Sequence, residues 1–99
     1  MVGVFVTFNY GVEFDRARVE SVAQHARETF VDMPGLHSKV FTVDANNHRA
    51  VNVYVWDSDE AAHAFFSEQL VDRVTGLYGV RPVVDFVDIA AIVENATAV

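Results

Sequence analysis

An α+β domain is what this sequence predicts: a four-stranded antiparallel sheet with two helices on one face, in the order β, α, β, β, α, β. Three observations carry that expectation. Four stretches alternate with the period of two that strands show, two others repeat apolar residues at intervals of three and four, and Asp44 to Asn47 offer a short turn between the middle strands. The order is the split βαβ, or ferredoxin-like, arrangement, which leaves one sheet face without helices.

Residues 2 to 10 set Val2, Val4, Val6, Phe8 and Tyr10 against Gly3, Phe5, Thr7 and Asn9, a strand with one fully apolar face. Gly11 permits a turn. Asp15 can cap a helix over 15 to 32, with Val19, Val22, Ala26, Phe30 and Met33 on one side, and Pro34-Gly35 stops it. A strand over 36 to 43 and a returning strand over 48 to 56 follow, Asp44-Ala45-Asn46-Asn47 being residues that tolerate turns. Pairing Val43 with His48 places Phe41 opposite Ala50, Lys39 opposite Asn52 and His37 opposite Tyr54. One face of the hairpin then carries His37, Lys39, Phe41, Asn52, Tyr54 and Trp56, and is expected to be the open one. Val51, Val53 and Val55, on the other face, are expected beneath the helices.

Asp57 and Glu60 have capping-box spacing before a second helix over 58 to 70, with a further turn to Val74. Gly76 and Gly79 are expected to break the chain. Pro82 leads into a last strand over 83 to 93, and residues 94 to 99 form a loose tail or an arm on a neighbouring subunit. Residues 1 to 99 therefore make a single domain, without repeat or linker.

With 52% apolar residues the chain can fold, and the scaling of surface with mass allows about 65% of its extended surface to be buried. That core is thin, so the uncovered face favours a homodimer. Seven basic against fourteen acidic residues give a formal charge of −7, which repels phosphate backbones and excludes nucleic acid as the natural partner. No apolar run is long enough to cross a membrane, and the alternating start of the chain lacks the basic segment of a signal peptide. Zero cysteines remove thiolate nucleophiles and disulfides, and the expectation is a cytoplasmic protein. His25, His48 and His63 have no metal-motif spacing, so no metal is expected; no dinucleotide fingerprint or phosphate loop points to a cofactor, and haem ligation by a single histidine stays open.

The segments Met33 to Leu36, Lys39 to Thr42, Asn47 to Ala50, Val53 to Ala61 and Gly79-Val80, with Phe8-Asn9 near the start, resemble the small mono-oxygenases of the YdhR type. The resemblance implies the dimeric αβ-barrel superfamily, in which two ferredoxin-like protomers join their open faces around a cavity. It also implies cofactor-independent mono-oxygenation of a small aromatic or quinol-like compound, the substrate anion passing an electron to dioxygen. The alternative is a non-catalytic dimeric module that binds a small aromatic ligand. Where relatives carry a large aromatic residue this chain has Ser38, and where they are polar near the start of the first strand it has Phe5.

Such chemistry needs a base, donors for an oxyanion and an apolar wall. His37 could be the base, or a histidine bonded to backbone or water at a strand edge. Lys39 could hold an oxyanion, or reach solvent or a partner subunit. Asn52 could donate to a substrate oxygen, and Asn9 could do the same from the end of its strand. Phe41, Tyr54 and Trp56 would form aromatic walls for the ligand, or simply pack.

Overall fold

A computed structural model describes residues 1 to 95. Strand β1 (Val2–Asn9) lies between β3 (Arg49–Trp56) and β4 (Val83–Asp88), and β2 (Leu36–Asp44) pairs with the outer side of β3. All three pairings are antiparallel, giving the order β2-β3-β1-β4 expected of a ferredoxin-like sheet.

Helix α1 (Arg16–Ala26) starts where expected, with the Asp15 carboxylate accepting from the Arg18 amide at 3.3 Å. It stops earlier than predicted. Arg27–Phe30 tighten into a 3-10 turn, which aims Phe30 at the sheet before Asp32 and Gly35 turn the chain with positive φ. The second helix is two helices, α2 (Asp59–Phe65) and α3 (Glu68–Tyr78). Ser58, one residue beyond the predicted cap, accepts from Ala61, and Ser67 caps α3 by accepting from Leu70. Helix α3 continues through Gly76 and ends at Gly79, which adopts φ 85°. An isolated glycine costs a helix only about 1 kcal/mol, so the left-handed Gly79, and not Gly76, is the stop.

The hairpin register differs from the sequence expectation by two residues: Val43 faces Ala50, Phe41 faces Asn52 and Lys39 faces Tyr54. The turn keeps four residues but sits one residue later, Ala45 to His48, because Asp44 joins the ladder opposite Arg49 and accepts from Asn47 Nδ2 and Arg49 Nε, each at 2.8 Å. A shift of two preserves the faces. A bulge near the start of β2 lets Leu36 and Ser38 sit opposite Trp56 and Val55, leaving His37 without the expected rung against Tyr54. Strand β4 ends at Asp88, short of the predicted Val93, because its partner β1 runs out at Val2.

Which face the helices cover is the main correction. Val2, Val4, Val6 and Phe8 on β1 share a face with Ala50, Asn52, Tyr54 and Trp56 on β3, and all eight are buried. Helix residues Val19, Phe30, Phe65, Phe66 and Tyr78 pack on them. The ladder forces this: Val4 opposite Tyr54 and Val6 opposite Asn52 must point the same way. The open face instead carries Phe5, Val40, Val51, Val53, Val55, Val83 and Val87, with Thr7, Thr42 and Asp85 among them. Val40 is 54% exposed and Phe5 40%. The total accessible surface, 6702 Å², exceeds the roughly 5,600 Å² expected of a compact chain of this mass. The uncovered sheet and the mostly exposed residues 89 to 95 contribute to the excess. Of the expected tail, Glu94 reaches His37, and residues 96 to 99 lie outside the described residues.

Candidate functional site

Between the helices and the sheet lies a cavity of about 80 Å³. Its floor is Val6, Phe8, Asn52, Tyr54 and Val84 from the sheet, its roof is Phe65, Phe66, Leu70, Val74 and Tyr78, and Phe30 and Lys39 close one side. The lining is apolar except for four side chains: Lys39, Asn52, Tyr54 and Tyr78. Apolar walls with a few polar atoms are the composition of a small-molecule site, but about 80 Å³ is below the roughly 300 Å³ of typical ligand pockets, so a ring can enter only if the surrounding side chains move apart.

The sequence explains the rings. Phe65 and Phe66 end α2, where the backbone breaks, so both rings turn inward and meet edge to face at 4.9 Å. Tyr54 lies against Phe66 at 4.9 Å and Phe30 at 5.9 Å, while Tyr78 stacks on Phe8 at 4.0 Å.

Lys39 Nζ donates to the Tyr54 hydroxyl at 2.7 Å. It also lies 3.4 Å from the Phe30 ring centroid, 4.1 Å from that of Phe41 and 4.3 Å from that of Tyr54. The ring faces favour an ammonium, but loss of water disfavours it more, and burial brings Lys39 down to about 7. Burial also pushes the Tyr54 phenol well above its ordinary value. Tyr78 is raised for the same reason, although Asn52 beside it favours the phenolate. Asn52, 4% exposed, is the sole buried polar side chain among the described residues.

Lys39, Asn52 and Tyr54 therefore converge on one cavity, in the interior and not on the open face where the sequence reading put it. Trp56 is on the same sheet face but lies outside the cavity lining, packed against Phe65 at 5.0 Å with its indole N–H buried and unpartnered. Phe41 lies beneath the Lys39 amine and borders the grooves outside. His37 lines an outer groove with Asp32 and Phe41, its Nε2 2.5 Å from Glu94 Oε1. Asn9 is exposed at the end of β1, opposite Arg49 on the open-face side. Sequence reasoning did not single out Phe30, Phe65, Phe66 or Tyr78. The first three are in the apolar helix stripes, and only the helix break shows that they surround a hollow.

The ferredoxin-like arrangement recurs in solved structures. A monooxygenase from the gene ActVA-Orf6 of Streptomyces coelicolor, in complex with the ligand nanaomycin D, superposes with a TM-score of 0.68 at 17% identity, covering 96% of this chain and 92% of that one. SnoaB, a cofactor-independent oxygenase from Streptomyces nogalater, gives 0.66 at 18% identity over 95% and 97% of the two chains. A dimeric ferredoxin-like protein of unknown function from Thermobifida fusca gives 0.67 at 15% identity over 89% and 90%. At these identities the likeness establishes the fold. No protein-family model and no curated protein sequence matches the chain.

No helix among the described residues is long and apolar enough to cross a membrane.

Proposed function

We propose that this chain is a cofactor-independent mono-oxygenase of a small aromatic or quinol-like compound, related to the YdhR type and acting as a homodimer. The observation that carries the proposal is the convergence of Lys39, Tyr54 and Asn52 on an otherwise apolar, ring-walled interior cavity. The fold shared with oxygenases, one of them cofactor-independent and another holding the ligand nanaomycin D, supports it.

A phenol or anthrone in the cavity would lie flat on one of Phe66 and Tyr54 and edge-on to the other, since the two rings stand 87° apart, with its oxygen toward Lys39. The unprotonated amine takes the acidic proton, and the resulting ammonium, with the Tyr54 hydroxyl and the Asn52 amide, holds the anion. The electron-rich anion then reduces dioxygen directly. For an anthrone the balance is one methylene plus one dioxygen giving one carbonyl plus one water, so the substrate supplies all four electrons. This assigns the base to Lys39 in place of His37, which borders an outer groove beside Glu94.

The valine-rich open face is the proposed dimer contact, since a single chain leaves Val40, Val83 and Val87 about half exposed. The likeness to a dimeric ferredoxin-like protein supports this.

Oxygen uptake by the purified protein, with a panel of hydroquinones and anthrones and without added flavin, tests the proposal. Uptake that persists with a chelator is the expected result. Tight binding of a quinol with no uptake above the buffer rate would replace the oxygenase with the non-catalytic binding module.

A further inference from the structure

Lys39 is the only lysine in the chain, and its amine turns into the protein. A lysine on a strand ordinarily extends its ammonium into water, its stem lying on the surface. Here Nζ is enclosed by three rings, makes no ion pair among the described residues and has the Tyr54 hydroxyl as its hydrogen-bond partner. Tyr78 is the other ionisable group in the cavity. Glu20, Arg27, Asp32 and His37 border the outer grooves that Lys39 also borders, and none bonds to it.

We propose that Lys39 is an imine-forming amine, condensing with a small aromatic aldehyde that enters the ring-walled cavity, with the Tyr54 hydroxyl carrying protons between the reacting atoms. The Nζ lone pair forms a bond to the carbonyl carbon, and the π pair moves to oxygen, which accepts a proton. Nitrogen loses its two protons in turn, the oxygen leaves as water, and a carbon–nitrogen double bond remains. Aldehyde and amine thus give imine and one water, with nothing oxidised or reduced.

Three features of the site suit that step. A desolvated amine is nucleophilic at neutral pH, where a solvent-facing lysine is almost wholly protonated. Tyr54, at 2.7 Å, can accept a proton from nitrogen and return one to the departing oxygen. The rings of Phe30, Phe66 and Tyr54 line the cavity next to the amine, an apolar surface suited to an aryl group.

The inference rests on the proposed function in one respect alone, that an aromatic molecule enters this cavity; no oxygen chemistry is involved. The test incubates the protein with benzaldehyde and cyanoborohydride, which reduces an imine to a stable secondary amine, and maps the label by peptide mass. A lysine peptide in the same tube normalises the reagent at each pH, and benzyl alcohol, followed by aromatic fluorescence, reports whether the cavity admits a ring at all.

The expected result is one benzyl group on Lys39, with labelling half-maximal near pH 7 relative to the peptide. Lys39→Gln leaves only the amino terminus labelled, and Tyr54→Phe slows the Lys39 reaction at least tenfold on the order of a lost proton carrier. Benzyl alcohol binding with label confined to the amino terminus, or Lys39 labelling that follows the free peptide's pH dependence, overturns the imine proposal and leaves the proposed function standing. Failure of both benzyl compounds to bind overturns the two together.

Discussion

Lys39 Nζ and the Tyr54 hydroxyl meet at 2.7 Å because their residues are direct cross-strand partners on β2 and β3. Both side chains turn beneath the helices, where Phe30 and the α2 rings shield the pair from much of the bulk water. Had the hairpin taken the register expected from its turn residues, Lys39 would face Asn52 and the amine would lack this partner. The Asp44 hydrogen bonds that hold the turn one residue later than expected therefore help to determine the chemistry of the cavity.

The first prediction concerns catalysis. If Lys39 is the base, oxygen uptake rises with pH and reaches half its plateau near pH 7, where the amine loses its proton. Lys39→Met should lower kcat/KM by about a hundredfold, in the range for losing a general base. Asn52→Ala should lower it by about a hundredfold, the cost of one lost donor to a developing oxyanion in a site this apolar. His37→Ala, outside the cavity, should have the smallest effect of the three; a loss equal to that of Lys39→Met would return the base role to His37.

The second concerns stability against pH. The folded-state value of Lys39, about 7, lies below its ordinary 10.5, so between those values the unfolded chain binds more protons. Its contribution to stability therefore increases as pH rises from about 7 toward 10.5. Tyr10, pushed up from 10.0 to about 12, acts in the opposite sense: above pH 10 the folded chain retains a proton that the unfolded chain has lost, and stability falls. Tyr54 and Tyr78 add to that fall. Urea midpoints across this range should trace a dome, and Lys39→Met should flatten only its rising side. A midpoint that is level from pH 7 to 10 in the unmodified chain would contradict the burial of the amine.

The open face gives a third. Val40 is 54% exposed in a single chain, so Val40→Glu should leave the fold nearly unchanged, within about 0.5 kcal/mol. In a dimer that buries the face it places a carboxylate in an apolar contact, and should shift molecules toward monomer by at least tenfold in Kd. Light scattering behind a sizing column reads the result, and an unmodified chain already monomeric at high concentration would remove the dimer.

Gly35 supplies a fourth, in the link from α1 to β2. Its φ is +81°, and an added Cβ would meet the Ala61 Cβ at 3.0 Å. Gly35→Ala should cost about 2 kcal/mol, the left-handed backbone alone accounting for 1 to 2. Denaturant unfolding measures it, and a change below about 0.5 kcal/mol would mean that the loop relaxes freely.

Much of this fold is legible in the order of periodicities. The alternation of Val2 to Phe8, the Asp15 cap and the hairpin near Asp44 lead to the observed elements, whereas the helix ends before the Pro34-Gly35 stop. The covered face is not legible from β3 by itself, because both its faces can be read as core: Val51, Val53 and Val55 by hydropathy, Tyr54 and Trp56 by area. The antiparallel ladder to β1 decides between them, and a ladder is a long-range property that no local pattern contains. The same inversion moves Lys39, Asn52 and Tyr54 from a presumed subunit interface to the interior of one protomer. His37 departs from its expected rung because a β-bulge intervenes, and nothing in the Leu36-His37-Ser38 triplet announces one.

The location of the ligand is the most direct test. A crystal structure of the protein with a naphthohydroquinone bound under anaerobic conditions should show the ligand between helices and sheet, one of its oxygens within hydrogen-bonding distance of Lys39 Nζ. A ligand seated instead on Val40, Val53 and Phe5 between two open sheet faces, with the interior cavity filled only by protein, would contradict the account.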